Sequence, residues 1–100
     1  MAQFDVYKAQ GGKAEMLLDL QDEMLEGLST RVVAPLVIAG TYGPPMKIVN
    51  PSIFIQGKEY VLLAHLLAAV PTTALGERIG SVPEQRSEII AAMDMLFTGI

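Results

Sequence analysis

The last fifth of the chain demands a helix, and that helix dictates what the remainder must supply. Ser81-Val82-Pro83-Glu84 has the form of a capping box, with Ser at the N-cap and Glu three positions on. Pro83 suits a first helical turn, where its missing amide would lack a partner anyway. Ile89, Met93, Leu96, Phe97 and Ile100 then recur at helical spacing as one apolar stripe. Gly99 stands just past the last turn, where a left-handed residue is often needed. The segments before Ser81 must therefore provide the surface on which this stripe packs.

Those earlier segments read as strands. Phe4 and Val6 flank Asp5, and Met16, Leu18 and Leu20 alternate with Leu17, Asp19 and Gln21, as half-buried strands do. Gly11-Gly12 between them marks a turn, so the two runs form a hairpin. Arg31 to Ile38 is rich in β-branched residues, and Pro35, which cannot donate to a ladder, implies a bulge or a sheet edge. Gly40 to Pro45 is a turn-rich loop, and Asn50-Pro51 starts a further break. Ile53-Phe54-Ile55 and Tyr60 to Leu63 flank Gln56-Gly57-Lys58 as a second hairpin. Tyr60 to Val70 fits a buried strand or a short buried helix equally, because periodicity does not separate the two. The expected fold is mainly β (α+β), a small antiparallel barrel closed by one C-terminal α-helix, in a single domain over residues 1–100.

Composition narrows the function. A chain of 100 residues buries only about 60% of its unfolded surface. Its apolar fraction of 51% is high for that size, which leaves apolar surface for a second subunit or another partner. The net charge is −4, and the seven basic residues form no run, so direct nucleic-acid binding is not expected. Cysteine is absent, which removes disulfides, thiolate catalysis and sulfur-based zinc sites. The amino terminus lacks the pattern of a secretory signal, and the longest uncharged stretch, Tyr60 to Gly76, is too short and too interrupted to span a membrane. A cytoplasmic, soluble protein is the expectation.

No catalytic constellation is legible. His65 is the only histidine, with no carboxylates grouped near it in sequence, and reads as structural rather than as a ligand or base. Asp19 and Asp22-Glu23 read as a solvated loop face rather than a working carboxylate pair. Gly11-Gly12 lacks the spacing of a phosphate loop. The chain is expected to act by binding, as a non-enzyme without cofactor or metal.

The order of several short motifs resembles one family. Gln3-Phe4-Asp5-Val6-Tyr7 is similar to the opening strand of CcdB-like toxins, and Leu18-Asp19-Leu20-Gln21 to their second strand. Val33-Ala34-Pro35-Leu36, Val70-Pro71 and Leu75-Gly76-Glu77 fall at matching places, and Leu96-Phe97-Thr98-Gly99-Ile100 resembles the family's closing signature. The likeness spans nearly the whole chain and weakens between Ala39 and Asn50.

The resemblance implies an SH3-like barrel, a homodimer, and poisoning of DNA gyrase by wedging into its A subunit and trapping cleaved DNA. It also implies a cognate antitoxin whose disordered segment folds along the toxin. Carried over by position, the gyrase-binding residues are Met24, Leu25, Asp94, Phe97, Thr98, Gly99 and Ile100. On residue type alone, Met24-Leu25 packs on its own barrel or awaits a cover, Phe97 is more often core than contact, and Asp94 is a solvated helix face. Ile100, at a terminus, is easier to explain by an interface.

Thr98 departs from the family, whose well-known toxins carry tryptophan there, stacked on a gyrase arginine. Such a contact contributes about 0.5–2 kcal/mol. Truncation of a central tryptophan costs about 2 kcal/mol or beyond, which at ~1.4 kcal/mol per decade lowers affinity by tenfold or more. A disarmed antitoxin-binding scaffold is the alternative this residue raises. A ribonuclease on the same barrel is a third reading, opposed by the scattered cations. Cleavage of single-stranded RNA, lost on mutating Arg31, would revive it.

Overall fold

β3 (Thr30–Ile38) is the axis of the sheet, because it pairs with three other strands. The computed structural model describes residues 1–10 and 16–100; the Gly11-Gly12 turn lies outside the described residues. β1 (Asp5–Ala9) and β2 (Met16–Asp19) pair antiparallel, and β2 pairs antiparallel with β3. β4 (Ser52–Ile55) and β5 (Lys58–Leu62) form the second expected hairpin. β6 (Ala68–Pro71) and β7 (Leu75–Ser81) complete a sheet of order β4-β5-β3-β2-β1-β7, with β6 laid beside β3. α1 (Arg86–Thr98) ends the chain. The strongly curved antiparallel sheet with one C-terminal helix is the expected fold class.

One side of β3 changes partner along its length. Residues Thr30 to Val33 pair with β6, and Leu36 to Ile38 pair with β5. Pro35 sits at the changeover, where its carbonyl accepts from the Leu63 amide at 2.9 Å. The nitrogen and carbonyl of one strand residue point to the same side, so the missing donor falls in the gap between the two partners. Pro35 is therefore neither a bulge in the β2–β3 ladder nor a sheet edge; it stands in the central strand where no hydrogen bond is lost. The ambiguous segment after Tyr60 divides likewise into β5, a 3-10 turn over Ala64–Leu66, and β6.

Period-two alternation puts Val6, Leu18, Ala34, Leu36 and Leu62 on one face, each 0% exposed, with Ile89 and Ala92 of α1 among them. The opposite face is covered as well. Tyr7, Val33 and Leu75 form a smaller cluster there, beside the buried polar residues Asp5, Asp19 and Arg31. Gly76 lets β7 close over this face, since a Cβ there would meet the Lys8 carbonyl oxygen at 2.8 Å.

Two carboxylates on that second face differ from expectation. Asp19 is wholly buried, not a solvated loop residue, and its Oδ2 accepts from Arg31 Nε at 2.9 Å. Burial pushes the Asp19 carboxyl above its ordinary range, held back by the Arg31 and Gln21 hydrogen bonds. Burial also pushes Asp5 up, but the Arg78 guanidinium and the Ala2 amide more than offset it and leave Asp5 below the usual range. A depressed carboxyl stabilises the fold above its unfolded value of 3.8, and that contribution disappears as pH falls through the lower folded value. Acid titration of urea midpoints is therefore expected to show the wild type losing stability relative to Asp5→Asn as pH falls below about 4.

The capping box is not made. Ser81 ends β7, and its hydroxyl donates to the Phe4 carbonyl at 3.4 Å. Pro83 opens a 3-10 turn (Pro83–Gln85) from which α1 continues. Gly99 does close the helix, at φ +77° with its amide on the Met95 carbonyl at 3.1 Å. Among the described residues, no helix is long and apolar enough to cross a membrane.

Candidate partner-binding site

The stripe on α1 stops being a core stripe before the helix ends. Ile89 and Ala92 are fully buried, and Met93 and Leu96 are half-buried. These positions follow the i, i+3, i+4, i+7 spacing of one face. Phe97, four residues after Met93 at the margin of that face, is 69% exposed, so it is not a core residue. Ile100, beyond the helix, is 90% exposed. Two large apolar side chains thus stand in water at one helix end, flanked by exposed Asp94 and Thr98.

Thr98 has less to offer than its side chain promises. Its hydroxyl donates to the Asp94 carbonyl one turn back at 2.7 Å, which leaves the methyl facing outward. Glycine at 99 is required by the positive φ rather than by crowding, since a Cβ there would stand in open space.

The second apolar segment lies on the loop between β2 and β3. Asp22 caps a 3-10 turn over Glu23–Leu25, its Oδ1 accepting the Met24 amide at 2.8 Å. The Leu25 amide reaches the Asp22 carbonyl at 3.1 Å, and the Leu28 amide the Leu25 carbonyl at 3.0 Å. Met24 is 89% exposed, and Leu25 and Leu28 are about half exposed. Of the two readings of Met24-Leu25, packing on their own barrel is thereby removed for Met24 and half removed for Leu25. Among the described residues no hydrogen bond or ion pair joins this loop to the end of α1.

A third feature was not legible. The loop Tyr42–Asn50 and the half-buried Met95 and Leu96 of α1 enclose a mainly apolar groove of about 540 Å³, with His65 in its wall. Asn50 builds the loop: its amide reaches the Met46 carbonyl at 2.8 Å and its Oδ1 accepts the Met46 amide at 3.0 Å. That orientation makes Nδ2 a donor to His65 Nδ1 at 3.2 Å. The ring then carries its proton on Nε2 and donates it to the Tyr42 hydroxyl at 3.1 Å. His65 is thus a structural histidine with both nitrogens engaged. Ile48, at φ +75°, is a strained β-branched residue on this loop. The available signal was Asn50 before Pro51, but only the fold brings it against His65.

Among the described residues, three of the cations are engaged within the chain. Arg31 is 0% exposed, Arg78 lies 3.3 Å from Asp5, and Lys8 lies 3.8 Å from Glu77.

Compared with known proteins, residues 3–99 match the family model described as CcdB protein. Among solved structures, the chain is similar to an endoribonuclease in complex with its cognate antitoxin from mycobacterial species. The TM-score is 0.78 at 15% identity, covering 96% of this chain and 93% of that one. It is also similar to the Mycobacterium tuberculosis toxin MazF-mt6, with a TM-score of 0.77, 20% identity and coverage of 93% and 95%. At these identities the likeness is one of fold.

Proposed function

We propose that this chain, which belongs to the CcdB family, is the toxin of a toxin–antitoxin pair and acts as a homodimer that binds the A subunit of DNA gyrase and traps its cleaved-DNA complex. The family match across residues 3–99 carries the reading. The exposure of Phe97, Ile100, Met24 and Leu25 supports it, because among the described residues these apolar side chains are left about half or more in water. Phe97 and Ile100 serve as anchors, Gly99 shapes the terminus, Asp94 and Thr98 form its rim, and Met24 and Leu25 make the second contact. A cognate antitoxin is the second partner. The test is inhibition of supercoiling by the host organism's gyrase, which this reading expects at stoichiometric toxin.

Thr98 sets the expected strength. With its hydroxyl turned back onto Asp94 and no aromatic face, it offers little to an arginine of the partner. Thr98→Trp is expected to raise affinity for the gyrase A subunit about tenfold or more, measured by calorimetry, with folding unchanged at this exposed position. An unchanged affinity places the departure from the family at a position other than 98.

A second reading, an endoribonuclease, is favoured by the fold of the toxins it matches, described as endoribonucleases. The placement of the cations opposes it, and Arg31 in particular is sealed from any substrate. Cleavage of single-stranded RNA by the purified protein is the direct test, and none is expected.

A further inference from the structure

We infer that Arg31, clamped by Asp19, is the positioning residue of the Met24–Leu25 loop. The inference rests on the reading above that Met24 and Leu25 touch the partner.

Little apolar burial holds the loop's shape. No residue of its 3-10 turn is buried, and Met24, Leu25 and Leu28 all face water in whole or part. What ties it down is polar. Arg31 NH2 donates to the Gln21 carbonyl at 2.6 Å, and NH1 to the Asp22 carbonyl at 3.4 Å. Farther on, the amino terminus meets Glu26 at 3.0 Å, and the Thr72 amide reaches the Ser29 carbonyl at 2.9 Å.

Asp22 is the relay. Its side chain caps the Met24 amide and its carbonyl accepts the Leu25 amide, so the peptide that Arg31 holds is the one from which both contact residues hang. Asp19 keeps the guanidinium aimed, with Nε at 2.9 Å and NH2 at 2.8 Å from Oδ2, while its Oδ1 accepts the Gln21 amide at 3.0 Å. A buried ion pair is a poor way to gain stability, since apolar replacements of like volume often serve as well. A rigid fork meeting acceptors in several directions is instead a good way to fix orientation, and lysine does not reproduce it. Arg31 is 0% exposed, so it acts on a partner only through this loop.

The test uses Arg31→Lys and the apolar double variant Asp19→Leu/Arg31→Met, so that one folded protein remains if the other fails. In the folded variant, backbone order parameters over Met24 to Leu28 are expected to fall from about 0.85 to below about 0.6, with those of β1 and α1 unchanged. Affinity for the gyrase A subunit falls about tenfold, and that loss shrinks to less than about twofold in a Met24→Ala/Leu25→Ala background while persisting in Phe97→Ala. A loop that stays rigid overturns the inference, as does an affinity loss equal in both backgrounds. If the wild type does not bind gyrase, the functional reading fails, and the order parameters still decide whether Arg31 positions the loop.

Discussion

Arg31→Ala is expected to lose most of the protein's folding stability, with the urea midpoint collapsing by the equivalent of about 3–5 kcal/mol. The substitution leaves the Asp19 carboxylate 0% exposed and without its cation. It also removes the arginine donor from the Gln21 carbonyl and leaves the Asp22 carbonyl with the Leu25 amide alone. Natural domains have only about 5–15 kcal/mol in total, so a loss of this size empties much of the native population at modest urea. Removing both charges is the control. Asp19→Leu/Arg31→Met replaces the pair with apolar volume and is expected to cost far less than Arg31→Ala alone, a non-additivity of the kind that marks directly coupled groups. Equal losses in the two proteins would mean that Asp19 and Arg31 contribute separately.

The second large effect is on binding. Phe97→Ala is expected to weaken the complex with the gyrase A subunit by at least about 2 kcal/mol, or roughly 30-fold, as central aromatic anchors do. The same variant should unfold within about 0.5 kcal/mol of the wild type, because the ring is 69% exposed and little packing is lost. Ile100→Ala follows the same pattern with a smaller loss. This separation is the point of the experiment. A core role for Phe97 would reverse it, lowering stability and leaving affinity per folded molecule intact.

Particular residues show what the amino-acid order conveyed and where local reasoning ended. The alternation of Phe4 with Val6, and of Met16 with Leu18 and Leu20, placed one face of the sheet correctly because that face packs on a continuous core. The same period misjudged Asp19. Alternation assumes the other face is wet, whereas here β6, β7 and the residues between them cover it and the carboxylate is paired inside. Ser81 misled for a related reason: a capping box is a local string, and the ladder between β1 and β7 extends through Ser81. Gly99 was legible because a left-handed C-cap needs no tertiary context. Pro35 implied a bulge or a sheet edge and is neither, because a place without a ladder donor exists inside the central strand where two distant segments, β5 and β6, share one side of β3.

The site was legible in the same uneven way. The motif order led to Met24, Leu25 and the last residues of the chain, and their exposure is what a binding role requires. The groove beside α1 was hidden, since Tyr42, Asn50, His65 and Met95 meet only after the sheet curls and the helix docks. Arg31 was read as one scattered cation among seven. Its burial beneath the Met24–Leu25 loop is visible only in three dimensions.

The most direct test of gyrase poisoning is a DNA-cleavage assay with the purified protein, ATP and gyrase from the same source organism, with a quinolone as the positive control. The proposed function predicts linear DNA trapped with the toxin present, diminished by Phe97→Ala and increased by Thr98→Trp. Supercoiling that proceeds unhindered, with no trapped cleavage at saturating protein, would contradict it and leave a CcdB-family fold directed at another partner.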